Sequence, residues 1–170
     1  MDVFFEQIVE IKKTAKDYLI LAIIWILAIG ISVTLLVSFF GLMGPIIIIA
    51  PMLLCYGAYK LSMNFFVEYE YIITNGTLDI DKIVAKNSRK RILSIEISNV
   101  DNLEKYNPNK MLNGYSKITL ACNKDDSNAY GMSVGKEGLG RHYIVFSPND
   151  KLKAATVKYL PKHISNSAFK

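Results

Sequence analysis

The chain has 170 residues, a formal net charge of +5, and 51% hydrophobic residues against 21% charged ones. The 42 residues from Tyr18 to Tyr59 contain no Asp, Glu, Lys or Arg, so the other 128 hold all 35 charges. That segregation excludes a single soluble domain, and the roughly 100 residues after it exclude a large enzyme while leaving enough chain for one modest core.

Residues 1–17 read as an amphipathic helix, because Phe4, Ile8, Ile11, Ala15 and Tyr18 recur at helical spacing while Glu6, Glu10, Lys13 and Asp17 lie mostly elsewhere. Two roles are open to it: an interfacial helix on the inner leaflet, or an extension of the first span that packs on a cytoplasmic domain. The charge-free stretch is too long for one crossing of a hydrocarbon core about 30 Å thick and suits two. A transmembrane hairpin over residues 18–66 follows, with spans near 18–40 and 45–66. Its break is Gly41-Leu42-Met43-Gly44-Pro45, with Pro45 opening the second helix and Pro51 kinking it. The apolar run is too long for the core of a cleaved signal, and four acids precede it within 17 residues.

Gly30, Thr34 and Ser38 repeat every four residues along the first span, with Ala50 and Gly57 available on the second, a pattern that lets helices approach closely. These five are the expected helix-packing residues, either within the hairpin or between copies. Trp25 is expected against the other helix. The interior of the spans has no ionisable group for an ion or proton path. Lys12, Lys13 and Lys16 flank one end and Lys60 the other, while the connection has no basic residue. Both termini are therefore expected in the cytoplasm and the protein in the plasma membrane as a multi-pass chain. Tyr56, Tyr59, Phe65, Phe66 and Tyr69 form an aromatic belt at that interface.

From Val67 the period falls to two. Val67, Tyr69, Tyr71 and Ile73 alternate with Glu68 and Glu70, Asn75-Gly76 is a hairpin turn, and residues 77–81 return, with a bulge near Lys82-Ile83. Residues 86–91 read as the next turn, Leu93, Ile95 and Ile97 as a third strand, and 102–115 as an irregular polar stretch. Ile118, Leu120 and Cys122 form a fourth strand, residues 125–128 a turn, and Tyr130–Val134 with Arg141–Ser147 a last hairpin around Gly135, Gly138 and Gly140. A helix over 148–160 closes the domain, which spans 67–165, with Ser147 as cap, Pro148 at its first position and Pro161 as its stop.

Six short antiparallel strands and one helix fit a bent sheet, or partly open barrel, plugged by that helix. The segments Tyr71-Ile72-Ile73-Thr74-Asn75-Gly76-Thr77-Leu78-Asp79-Ile80 and Arg91-Ile92-Leu93-Ser94-Ile95-Glu96-Ile97-Ser98-Asn99-Val100, after an apolar hairpin, resemble the uncharacterised two-span bacterial membrane proteins of Firmicutes that carry a C-terminal PH-like domain. The resemblance covers residues 18–160 and implies architecture, not chemistry.

No catalytic constellation stands out. Asp79 and Asp81 share a strand face and read as solvated exterior residues, the glycines near 135–140 lack the setting of a phosphate loop, and Arg141-His142 beside that loop is the nearest thing to a catalytic pair. Cys55 and Cys122 read as packing residues, and His142, His163 and Cys122 lack metal-ligand spacing, so no cofactor is expected. Neither an Arg-rich helix nor an aromatic RNA-binding signature is present, and no nucleic-acid partner is expected. The expected function is a noncatalytic membrane-anchored module that presents a PH-like domain at the inner leaflet to protein, peptide or anionic lipid. Lys86, Arg89, Lys90 and Arg91 are the candidate contacts to headgroup or partner. The alternative is an accessory subunit of a membrane transport or export complex that uses the hairpin as its interface. The partners expected are the bilayer and a membrane protein or a second copy.

Overall fold

The computed structural model describes residues 4–109, 112, 114–136, 140–166, 168 and 169. The chain divides into two compact units, Lys12–Val67 and the sequence on either side of it. Gly138 of the expected glycine loop lies outside the described residues.

The helical unit consists of α1 (Ala15–Met43), a 3-10 turn (Gly44–Ile48) and α2 (Ile49–Met63). α1 begins three residues before the expected Tyr18 because Thr14 and Asp17 cap it. The Thr14 amide and hydroxyl donate to Asp17 Oδ2 at 2.7 and 2.8 Å, and the Asp17 amide donates back to Thr14 Oγ1 at 3.4 Å. The helix runs on through Gly41 and breaks at Gly44, whose φ of +58° lies outside the right-handed region. Pro45 opens a 3-10 turn rather than an α-helix, so Pro51 falls in the first turn of α2, where proline is tolerated.

α1 and α2 contact each other. Among the described residues, those buried on the two helices are Ala28 and Ser32 on α1 and Pro51, Ala58 and Ser62 on α2, with Ile47 buried in the turn between them. Ser32 and Ser62 donate to the carbonyls of Ala28 and Ala58 at 2.6 and 2.8 Å, which satisfies their hydroxyls inside an apolar unit. Among the described residues one helical stretch, Ala15–Phe39, is long and apolar enough to cross a membrane.

The other unit holds two four-stranded sheets. The first has the order β1 (Phe4–Glu10), β2 (Val67–Thr74), β3 (Thr77–Val84), β4 (Ser88–Glu96). The second combines β5 (Val100–Lys105), β6 (Lys117–Leu120), β7 (Tyr130–Lys136) and β8 (Gly140–Phe146) in the order β5-β7-β8-β6. α3 (Asp150–Tyr159) and the short α4 (Lys162–Ser165) follow.

Three expectations are overturned here. Residues 4–10 form a strand, not a helix. β1 pairs antiparallel with β2 from Phe4↔Thr74 to Glu10↔Glu68, and Phe5 and Val9 pack on the core. Phe4 and Ile8, which a helix would place on one face, are exposed in the strand, while Phe5 and Val9 pack on the core, and the partner strand decides. The stretch after Val100 is partly regular, since β5 pairs with β7 although its own sequence is polar. The strands are not all antiparallel, because β6 runs parallel to β8.

Asn75 and Gly76 both take positive φ, +48° and +91°, as the two-residue hairpin requires. The bulge falls between Ile80 and Asp81 rather than at Lys82-Ile83. α3 is capped not by Ser147 but by Asn149, whose side chain accepts from the Leu152 amide at 2.8 Å. The Ser147 amide instead donates to the Tyr71 hydroxyl at 3.3 Å, and that hydroxyl donates to the Ala121 carbonyl at 2.6 Å. Gln7 joins β1 to this corner, donating to the Ser147 carbonyl at 2.9 Å and accepting from the Asn149 amide at 2.8 Å. The core between the sheets and α3 includes Tyr71, Ile73, Leu78, Ile80, Met132, Ile144, Phe146 and Leu152.

Candidate functional site

The inner face of the first sheet is apolar, so its outer face takes the charges. Leu78 and Ile80 point to the core, and the alternation sends Asp79 outward. The bulge after Ile80 sets Asp81 opposite Arg91. Across this face runs a ladder of alternating sign. Arg89 pairs with Glu70 and lies 3.9 Å from Asp81, while Arg91 reaches Asp81 and Asp79, each at 3.0 Å. The ladder ties three strands together, because Arg89 on β4 reaches over β3 to Glu70 on β2.

Glu70 is 1% exposed and Asp81 3%, so Asp81 is not the solvated exterior residue the alternation implied, and Asp79 is half-buried. Burial pushes the Glu70 carboxyl above the usual carboxylate range, helped by a hydrogen bond with Glu6, and Arg89 opposes the shift. Arg91 is held above its ordinary value first by its hydrogen bond to Asp81.

The four basic residues expected to meet a headgroup or partner thus divide. They do not share one turn: Arg89, Lys90 and Arg91 stand on β4, and Lys86 lies in the turn. Arg89 and Arg91 are engaged by buried or half-buried carboxylates. The Lys86 side chain is 78% exposed and 3.8 Å from Glu68. Lys90 is exposed, forms no ion pair among the described residues, and stands directly opposite Lys82. Ala85 and Lys86 hold positive φ, +52° and +57°, in a turn with no glycine, a conformation that costs an L-residue about 1–2 kcal/mol.

In the helical unit, Gly30, Thr34 and Ser38 are exposed rather than packed on α2, and Ala50 and Gly57 are half-buried. A Cβ at Gly30 or Gly57 would have no neighbour within 4 Å. The small residues inside the helix pair are Ala28, Ser32, Ala58 and Ser62, one face round from the expected stripe. Trp25 is exposed as well. Periodicity marks a stripe of small residues but does not say which side the partner helix takes.

Other candidates stay apart. Cys122 is buried, and burial pushes its thiol up to about 12, which leaves it without thiolate character. Among the described residues no three His, Cys, Asp or Glu side chains group as a metal site. The sequence reading missed Glu70 and Asp81 as partners of the arginines, although the signal was present. A two-residue turn at Asn75-Gly76 sets Glu70 opposite Asp81, and two facing carboxylates in a sheet call for a cation between them.

The fold is that of a PH-like domain: two sheets around one core, closed by a C-terminal helix. A family model described as a bacterial PH-like domain (DUF6106) matches residues 1–166, and the chain belongs to that family. No curated protein and no solved structure matches it.

Proposed function

We propose that the protein is a noncatalytic interaction module anchored in a membrane by its helical unit. The observation that carries this reading is the surface of α1. Leu19, Ile23, Ile26, Leu27, Ile29, Val33 and Val37 are all exposed, and little of the stretch Ala15–Phe39 is buried. Apolar surface of that extent suits a hydrocarbon solvent. A two-span topology is supported by strand pairing. β1 precedes α1, β2 follows α2, and the two strands pair in one sheet, so a crossing by α1 needs a return before Val67. The 3-10 turn and α2 supply that return, and the lysines at 12, 13, 16 and 60 favour the cytoplasm for both ends.

Membership of a PH-like family supports binding without turnover. For an anionic lipid contact, the facing pair Lys82 and Lys90 have no ion pair among the described residues, and Lys86, paired with Glu68, is largely exposed beside them. Like charges placed opposite each other in a sheet repel, and an anion relieves them. Arg89 and Arg91 belong to the fold in this reading. Photo-crosslinking in native membranes, comparing wild type with Lys82→Ser, Lys86→Ser and Lys90→Ser combined, tests it. A protein or phospholipid adduct is expected, with the lipid adduct weakened in the variant. Recovery of the chain in the soluble fraction after an alkaline carbonate wash would overturn the anchoring.

A second reading, an accessory subunit that uses the helices as its interface, is favoured by one observation: the Gly30, Thr34 and Ser38 stripe is exposed on α1. Replacing the three with Leu then abolishes co-purification of a membrane partner, and retention of that partner excludes this reading.

A further inference from the structure

β4 is the last strand of its sheet, so one of its edges has no strand partner among the described residues. Sheet edges are usually protected by charge, proline or a covering element. The first half of β4 has Arg89, Lys90 and Arg91 and ends in the bulge, where Ile92 is the extra residue between Arg91 and Leu93, but beyond it Leu93-Ser94-Ile95 has neither charge nor proline. A groove of about 440 Å³ runs along this unprotected half. Its lining includes Ile92, Leu93 and Ile95 on one side and Val134, His142 and Lys117 on the other. The last three form a single row across the second sheet, since Val134 is the register partner of His142 and His142 that of Lys117. Among the described residues neither Lys117 nor His142 forms an ion pair, and the one carboxylate in the lining, Glu96, closes the end of β4.

We propose that this groove receives an extended acidic segment of a partner protein, which adds to β4 as a further strand. The free edge offers main-chain hydrogen bonds, and alternate side chains of the incoming strand turn inward. The apolar side chains of β4 line one wall there, and Lys117 on the opposite wall selects an acid at an inward position. The proposal rests on the reading of the chain as an interaction module and names the chemistry of its partner.

The test uses the full chain in phosphatidylcholine nanodiscs and three capped pentapeptides in which valine alternates with glutamate, serine or lysine. Fluorescence anisotropy is expected to rank them glutamate, serine, lysine, with amide exchange slowed at residues 92–96 in the glutamate complex. Lys117→Glu is expected to weaken the glutamate peptide about tenfold and to favour the lysine peptide. Lys117→Ser, a milder change at this exposed position, is expected to flatten the ranking. No saturable binding at millimolar peptide, equal binding of all three, or slowed exchange outside β4 would overturn the proposal. So would protection of residues 92–96 without peptide that falls on dilution, which would assign the edge to a second copy. A chain that binds no peptide yet still crosslinks to a membrane protein keeps the module reading and loses the groove.

Discussion

The two units sort their side chains in opposite directions. In the helical unit the buried positions include Ala28, Ser32, Ala58 and Ser62, and the exposed ones include Ile26, Val37, Met52 and Leu53. In the sheet unit Tyr71, Leu78, Ile80 and Phe146 are fully buried, and Glu70 and Asp81 enter the interior only with arginines beside them. Removing apolar area from water is worth roughly 25 cal/mol per Å², so no single aqueous environment favours both arrangements. On the proposed reading, the difference marks the 42-residue gap in charge as a boundary between two solvents, water and hydrocarbon.

The largest expected effect breaks the sheet unit's polar rule. Arg89→Ala leaves Glu70 buried without its cation and is expected to cost about 3–5 kcal/mol near pH 7 in denaturant unfolding of the chain in detergent. The pH dependence has a definite sign. Because the folded-state pKa of Glu70 is raised, the folded state binds its proton more readily than the unfolded state does. Its contribution to stability is fully present below the ordinary glutamate value of about 4.3 and is lost as pH rises through the raised folded value. Stability of the wild type relative to Glu70→Gln should therefore increase as pH falls through that window, and a flat difference would contradict the assignment.

Glycines sharpen the comparison. A Cβ at Gly131 would run into the buried Tyr143 hydroxyl, so Gly131→Ala is expected to cost about 1–3 kcal/mol in the same assay. Gly30→Ala meets open space and is expected to leave the melting temperature of the sheet unit unchanged. Gln7→Ala removes two hydrogen bonds that tie β1 to the start of α3, for an expected loss of about 1–2 kcal/mol. One substitution is expected to give a gain. Ala85→Gly relieves one of the two left-handed residues in the β3–β4 turn and is expected to stabilise the chain by about 1 kcal/mol, read as a shift in denaturant midpoint.

What was legible in the sequence was whatever depends on near neighbours. The Asn75-Gly76 turn, the strands on either side of it and the apolar run of α1 follow from local chemistry. Thr14 and Asp17, three apart before an apolar run, are a helix-start signature that the sequence reading passed over in favour of the charge count. β1 was lost for a different reason. Its partner β2 lies beyond the whole helical unit, and seven residues with apolar side chains on both faces satisfy a helix and a strand alike. β5 is polar and owes its structure to β7. At the candidate site the cations were visible and their carboxylates were too, but the pairing depended on a bulge whose position only the register reveals. The parallel β6 followed a stretch with no periodic signal.

The most direct test of the account is the sidedness of two single cysteines in a chain whose own thiols are replaced, Cys55→Ala and Cys122→Ala. Gly41→Cys places a thiol near the end of α1, and Ser127→Cys places one on an exposed turn of the sheet unit. With a membrane-impermeant maleimide on intact spheroplasts, Gly41→Cys is predicted to label at once and Ser127→Cys only after lysis. Labelling of both positions from the same side would contradict a helical unit that crosses the membrane and returns.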